Sequence, residues 1–491
     1  MFLKRGCRRG FQEFQRWTRG RYVFRWEECK TEMINQCRLA APMIALGLSQ
    51  EAFEIISVVF VGRVGALALA ASSIATSIAN MTGLCIMNGM ASGLETLCGQ
   101  AYGAEQYHLL GHHLHAGVLC LNILAVLLSF VYAYMGEILI ELGQDKTISL
   151  EAGKYAKWLI PTLFAQASLQ PLARFLLAQS LVGPLMTCAG IAATFHLPLC
   201  WILVQKTSFG FTGAALSTSI SCWMYVILLY IYTKFSSSCL KANVPLSTQP
   251  LKVLATFLRF ALPSAAMACL DWWCYDIMLL LCGLLPDPEL QTSSLSICIN
   301  YANINYQVAA GLAAAVSTRV SNELGAGNSL KASNAATVSI ILTECQGFAI
   351  SILVHTQRRF LGHIFSKDAE VVEHVATVLH LVAFSSMLDS TQGVISGIAR
   401  GCGWQGSGAL INLSSHYGVA LPVGACLAFL TPLQAQGLWI GIICGLVLQV
   451  VLLSRLTLLA KWDQEVACVK FIESQGGNME PSDESDALIL L

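Results

Sequence analysis

Two carboxylates sit in the middle of one long apolar stretch, Phe260–Leu285, which reads FALPSAAMACLDWWCYDIMLLLCGLL. They are Asp271 and Asp276, with Trp272, Trp273 and Tyr275 between them. The stretch is long enough to cross a bilayer as one helix, which takes about 20 apolar residues. An ionised carboxylate at the bilayer centre costs about 2.5–3.5 kcal/mol on insertion scales, so a simple anchor would not carry two. Taking a carboxyl out of water favours its neutral form. Such a group holds either a proton or a cationic solute, which is the chemistry of exchange. The competing reading is a permanently neutral, hydrogen-bonded acid. Five residues along a helix turn through about 140°, so one cavity wall presents only one of the two acids fully. The other pairs between helices, and the spacing does not say which.

Trp272, Trp273 and Tyr275 lie too deep for an interfacial aromatic belt. Aromatic faces hold organic cations at roughly 0.5–2 kcal/mol per contact. Plain packing is the alternative, since three residues so close in sequence cannot all face one cavity. Glu51 and Glu54 are three apart on the first apolar run and share a helix face. Two carboxylates that close do not both ionise cheaply in a low dielectric, which makes them a second candidate proton site. The alternative is a position nearer the membrane surface. Asp389 lies inside the tenth apolar run, and Glu344 in the ninth is read as structural. The eighth run, SICINYANINYQV, is too polar to face lipid. Its Asn300, Tyr301, Asn303, Asn305 and Tyr306 face the cavity or another helix. Pro42 and Pro263 occupy equivalent points in the first and seventh runs. Each removes a backbone hydrogen bond and permits a kink, so both are candidate hinges.

The elements that must position these residues are membrane helices. The chain has 491 residues, 55% hydrophobic and 12% charged, against about 25% charged in soluble domains. Long apolar runs joined by short loops imply helices rather than a barrel. The expected fold is all-α and integral to the membrane. Its twelve spans lie roughly at 39–61, 71–95, 113–136, 153–176, 183–205, 210–233, 254–284, 292–317, 333–355, 370–397, 408–430 and 434–459. Residues 1–38 form a basic tail and 234–253 a polar link between two six-helix halves, 39–233 and 254–460. The acidic end, 461–491, is expected to be disordered. Of the 29 Lys and Arg, 21 fall on the side of the termini and 8 on the other, which predicts cytoplasmic termini.

The halves read as copies. Pro42 and Pro263, Gly103 and Gly325, Gln170 and Gln392, and Gly213 and Gly437 recur at offsets of 221 to 224 residues. An even number of spans per half implies a two-fold axis along the membrane normal, with a binding site between the halves.

Several other signals carry little. Gly401-Cys-Gly-Trp-Gln-Gly406 fits a dinucleotide fingerprint, but no strand precedes it, so it reads as a tight loop. His108, His112, His113 and His115 cluster without a thiol or carboxylate to complete a metal site, so no metal is expected. The 19 cysteines are scattered through apolar spans and read as small core residues. The zero net charge implies no nucleic-acid partner. The end, Asp486-Ala-Leu-Ile-Leu-Leu491, matches an acidic dileucine sorting pattern that is common by chance.

Four long motifs occur in order: Glu95-Thr-Leu-Cys-Gly-Gln-Ala-Tyr-Gly103-Ala, Ala315-Val-Ser-Thr-Arg-Val-Ser-Asn-Glu-Leu-Gly-Ala-Gly327-Asn, Gly397-Ile-Ala-Arg-Gly-Cys-Gly-Trp-Gln405 and Gly437-Leu-Trp-Ile-Gly-Ile-Ile-Cys444. Over residues 35–460 the chain resembles the MATE family of multidrug and toxic compound extrusion transporters, most closely its plant DETOXIFICATION branch. The resemblance implies two pseudo-symmetric six-helix lobes and cation-coupled export of organic solutes, usually with protons. It supports acids at Asp271, Asp276 and Asp389, with Asp where relatives carry Glu on the seventh helix. It also implies departures at Asn300, where some relatives have an acid, and at Ala309-Ala310, where the family has a Pro.

The function expected from the sequence is a proton-coupled antiporter exporting organic solutes from the cytosol. The alternative is a non-coupled uniporter or a degenerate, non-transporting paralogue. No nucleophile–base pair marks an enzyme, and no cofactor is expected. Sodium is the less favoured coupling ion. The expected partners are the bilayer and a small organic solute, cationic or aromatic in character. The expected setting is a monomer in the plasma or vacuolar membrane.

Overall fold

The computed structural model describes residues 26–242, 244, 249–365 and 369–474. Twelve helices of at least 24 residues account for most of them. They are α1 Trp26–Gly62, α2 Ala66–Gly103, α3 Tyr107–Ala133, α4 Lys146–Ala178, α5 Val182–Gln205 and α6 Thr212–Phe235 in the first lobe. In the second lobe α7 spans Gln249–Cys282, α8 Pro288–Gly325, α9 Ser329–Phe365, α10 Ala369–Cys402, α11 Gln405–Leu430 and α12 Gln434–Leu459. Ten of the twelve are apolar enough to cross a membrane on composition alone. The other two, α4 and α8, have the length but carry more polar residues.

The ends of these helices follow from local chemistry. Asp145 caps α4, its carboxylate accepting from the backbone N–H groups of Thr147 (2.9 Å) and Ile148 (3.0 Å). Pro288 begins α8, where its missing N–H has no helical partner to lose. Gly403, at φ 88°, makes the tight turn between α10 and α11 expected of the glycine-rich segment there.

Several boundaries differ from the sequence expectation. The first helix starts at Trp26, so the last third of the supposed basic tail is helical; residues 1–25 lie outside the described part. Helices α1 and α7 begin well before Pro42 and Pro263, which therefore sit inside unbroken helices rather than at their openings. The residues after 461 are not all tail. Trp462–Ser474 forms a helix that packs on the ends of α8 and α9. Trp404 donates its indole N–H to Glu465 (3.2 Å) and Ser329 donates to Asp463 (2.6 Å). Trp404 and Trp462 pair as tilted rings, and this burial explains why a polar stretch is ordered. The sorting-like end at 486–491 lies outside the described residues.

Both ends of the described chain lie on one face, here called the terminal face. There α1 meets α8 and α9, and the helix after α12 meets α8 and α9 as well. The lobes touch chiefly through α2 against α7, and α8 against α1 and α2. These contacts run from the terminal face to mid-helix. The last close ones are Trp273 to Met81 and Gln307 to Glu51. One turn further toward the opposite, distal face, Ile55 on α1 and Ile304 on α8 are 61% and 54% exposed. The lobes therefore enclose a cleft that is closed at the terminal face and open at the distal one.

Candidate functional site

Asp271 sits near the middle of α7, at the floor of the cleft, with 26% of its side chain exposed. Its carboxylate is a hub for three other helices. His416 on α11 meets one oxygen at 2.8 Å, and Gln449 on α12 donates to the same oxygen at 3.2 Å. Gln392 on α10 donates to the other at 3.2 Å. Behind this shell Gln449 donates to Asn412 (2.8 Å), which donates to the Met267 carbonyl (2.9 Å) and so returns to α7. Asp389 on α10 lies within electrostatic range of both Asp271 and His416.

The backbone places His416 by a local irregularity. Residues Leu413–Ala420 of α11 are wound as a π-helix, the wider form that tends to occur at functional positions. His416, Gln449 and Asn412 are all essentially buried. Each is a polar side chain in an apolar span, which is expensive unless it is partnered. That signal was in the sequence and was missed for all three; Gln392 was read only as a landmark of the internal repeat.

The aromatic residues of α7 divide. Trp272 is 41% exposed at the cleft and meets Tyr306 of α8 edge to face, ring centroids 5.6 Å apart. Trp273 instead donates to the Met81 carbonyl of the other lobe (3.2 Å). Tyr275 turns into its own lobe against Trp439. Asp276 is exposed and lies within electrostatic range of Cys85 on α2, across the cleft.

The polar residues of α8 divide as well. Asn300 is exposed, and Asn303 and Tyr306 are half-buried. Tyr301 corrects the expectation of a cavity residue: its hydroxyl donates to the Leu361 carbonyl of α9 (2.9 Å), away from the cleft. Asn305 is buried, donates to Ser386 and Ser390 of α10 and accepts from Gln346 of α9. Glu344 accepts from Thr391 (2.8 Å), a bond between α9 and α10.

Glu51 and Glu54 lie within electrostatic range of each other, as their spacing suggested, but take different hydrogen-bond partners. Glu51 accepts from Gln307 of the opposite lobe (2.7 Å), whereas Glu54 accepts from Asn80 of α2 (3.0 Å). Asn80 opens a second π-helical segment, Asn80–Leu84. Glu54 also lines a cavity of about 80 Å³ inside the first lobe, with Ser57, Thr76, Tyr155 and Thr218. Among the described residues no group of three or more His, Cys, Asp or Glu could hold a metal ion.

A second charged cluster closes the cleft at the terminal face. Glu95 of α2, only 5% exposed, pairs with Arg174 of α4 (2.9 Å) and with Arg400 of α10 (3.1 Å). The second pair joins the two lobes. Thr96 bonds the Arg400 carbonyl, and Asn322 of α8 donates to the Ala178 carbonyl of α4 (2.9 Å). Glu32 of α1 pairs with Arg319 of α8 at 2.9 Å. In the sequence Glu95 and Arg400 figured only as letters of motifs.

Comparison with known proteins agrees with this architecture. The MatE family model matches residues 42–202 and 263–426, one block in each lobe. Protein DETOXIFICATION 16 of Arabidopsis thaliana is 45% identical over 436 residues, covering 89% of this chain and 90% of its own. Protein DETOXIFICATION 10 of the same plant is 45% identical over 423 residues, covering 86% and 87%. The crystal structure of the eukaryotic MATE transporter AtDTX14 superposes with a TM-score of 0.87 at 40% identity, covering 91% of this chain and 99% of that one. The VcmN transporter of Vibrio cholerae, in a D35N mutant, shares the fold at 16% identity, with a TM-score of 0.80 over 89% of this chain and 99% of that one. This chain belongs to the MATE family of membrane transporters.

Proposed function

We propose that this transporter is a proton-coupled antiporter that exports organic solutes from the cytosol. The observation that carries this reading is the Asp271 hub. One carboxylate is bonded by side chains of α10, α11 and α12 while a quarter of it faces the cleft. An ionised carboxylate accepts all three bonds, whereas a protonated one gives up acceptor capacity and becomes a donor. Protonation therefore changes how α7 is held against its neighbours. A cation seated beside Asp271 competes with the proton for the same charge, and exchange follows from this difference in affinity.

Protons suit the hub better than sodium. Hard cations are held by several oxygen ligands, but Asp271 is ringed by amide and imidazole nitrogens. Asp389 is a second acid within range of the same charge, and Asp276 is a further one at the cleft. Glu54, beside its own cavity, and Glu51, at the seam, are further candidates in the first lobe. The substrate is an organic cation or a neutral aromatic, resting against Trp272 and Tyr306 with Asn300 and Asn303 nearby. The DETOXIFICATION names of its relatives support export of unwanted solutes. Pro42 and Pro263 each leave a carbonyl one turn earlier without its helical partner, which gives α1 and α7 a place to bend. With the termini cytosolic, the cleft faces the exterior or the vacuole, and the protein works as a monomer in either membrane.

The test is uptake of a fluorescent organic cation such as ethidium into proteoliposomes with an imposed pH gradient. The proposal expects uptake that follows the size and sign of the gradient and fails in Asp271→Asn. Uptake indifferent to the gradient would make the protein a uniporter. No uptake by well-folded protein with any cation tried would favour a non-transporting role.

A further inference from the structure

Helices α2 and α7 come from different lobes and run antiparallel through the middle of the molecule. Their contacts keep one register. Gly93 lies against Ala261, and Gly89 against Ala265 one turn further on. A Cβ at Gly89 would stand 2.7 Å from the Ala265 Cα, so the backbones approach as closely as small residues at four-residue spacing allow. The next turn brings Cys85 opposite Cys269, with their sulfurs 3.5 Å apart. The turn after that is the Trp273–Met81 contact, the last before the cleft opens. Cys85 is half-buried and Cys269 buried, at the top of the closed seam and the floor of the open cleft.

We propose that Cys85 and Cys269 form a redox lock, in which a peroxide entering the cleft joins them as a disulfide that holds the terminal face shut. The inference does not depend on the coupling ion or the substrate. Cys269, the sulfur that accepts the Cys85 S–H, attacks hydrogen peroxide as a thiolate. The O–O bond breaks, the Cys269 sulfur becomes a sulfenic acid, and the departing oxygen leaves as water with the thiol's proton. Cys85 then attacks the Cys269 sulfur, and the second oxygen leaves as water with the Cys85 proton. In sum, two thiols lose two electrons and two protons, and one peroxide becomes two waters. A dithiol reverses the step by exchange. A disulfide needs its Cα atoms about 4.4–6.8 Å apart, a range that the tight α2–α7 seam favours and that separated lobes would exceed. The bond thus ties lobes that must part at the terminal face for transport.

The experiment uses the full chain with a protease site inserted between Ala242 and Gln249. Purified protein is treated with hydrogen peroxide, blocked with N-ethylmaleimide, cleaved, and run in SDS with and without dithiothreitol. The halves of the wild type should migrate together without reductant and separate with it. Those of Cys85→Ser and of Cys269→Ser should separate in both lanes. In proteoliposomes, peroxide should reduce wild-type uptake to the level of empty vesicles, dithiothreitol should restore it, and Cys85→Ser should resist. Both Ser variants should elute as the wild type does in size-exclusion chromatography. Separated halves in the oxidised wild type, linked halves in oxidised Cys85→Ser, or full uptake by the linked protein would each overturn the proposal.

Discussion

The two lobes carry the same parts arranged differently. In each, the first helix bears an acid that is bonded by a residue from a π-helical segment. In the first lobe Glu54 of α1 takes one bond from Asn80 of α2 and looks into a small internal cavity. In the second lobe Asp271 of α7 takes three bonds from three helices, one of them through His416 of a π segment. A proton on Glu54 alters one contact between two helices. A proton on Asp271 alters the packing of four. The two acids do not stand at equivalent repeat positions, since the counterpart of Glu54 is Asp276. Under the proposed coupling, the second lobe, whose acid has more connections, is the one whose packing responds to protonation.

The largest expected effect tests this asymmetry at its stronger end. Asp271→Asn keeps the size of the side chain but removes the ionisable group that three donors face. Removing the acid on which the proposed exchange depends should slow proton-driven exchange by more than about 100-fold, the equivalent of about 3 kcal/mol. Uptake under a pH gradient measures it, and near-normal uptake would end the assignment. Next comes the latch that both lobes share at the terminal face. Glu95→Gln leaves Arg174 and Arg400 facing each other without their anion, a penalty of about 3 kcal/mol for a buried pair. The terminal face should then open more often, so a label pair at positions 105 and 331 should move apart in distance measurements.

A smaller effect separates the two members of the hub. His416→Gln keeps a donor toward Asp271 but removes a titratable ring. It should slow exchange by roughly tenfold, the equivalent of one hydrogen bond to a charged group, and flatten the pH profile. A profile of unchanged shape would show that His416 only fills space. The smallest effect belongs to the first lobe. Glu54→Gln can still bond Asn80, and it should slow exchange by less than about threefold, under about 0.7 kcal/mol. A collapse in Glu54→Gln beside an active Asp271→Asn would reverse the order of the lobes.

How much of this was legible depended on whether the signal was local. Helices announce themselves as contiguous apolar runs, so all twelve were found, and the repeat followed from landmarks such as Pro42 and Pro263. Asp271 stood out because a carboxylate in such a run is costly. Its partners did not, because Gln392, His416 and Gln449 come from three helices whose packing no spacing rule predicts. The Glu95–Arg174–Arg400 cluster was missed for a different reason: charges near span ends ordinarily snorkel to the surface, and only the fold shows these buried against one another. Glu51 and Glu54 were placed on one face correctly as backbone positions, but their side chains took partners in different lobes. The ordered helix Trp462–Ser474 was concealed by its polar composition, which says nothing of the groove it fills.

The central claim is that a proton and an organic cation compete for Asp271. Titration of the purified transporter with ethidium in two buffers of different ionisation enthalpy counts the protons released on binding. The wild type should release about one proton per cation bound, as reciprocal linkage requires, and Asp271→Asn should release none. Tight binding to the wild type with no proton release would contradict the account.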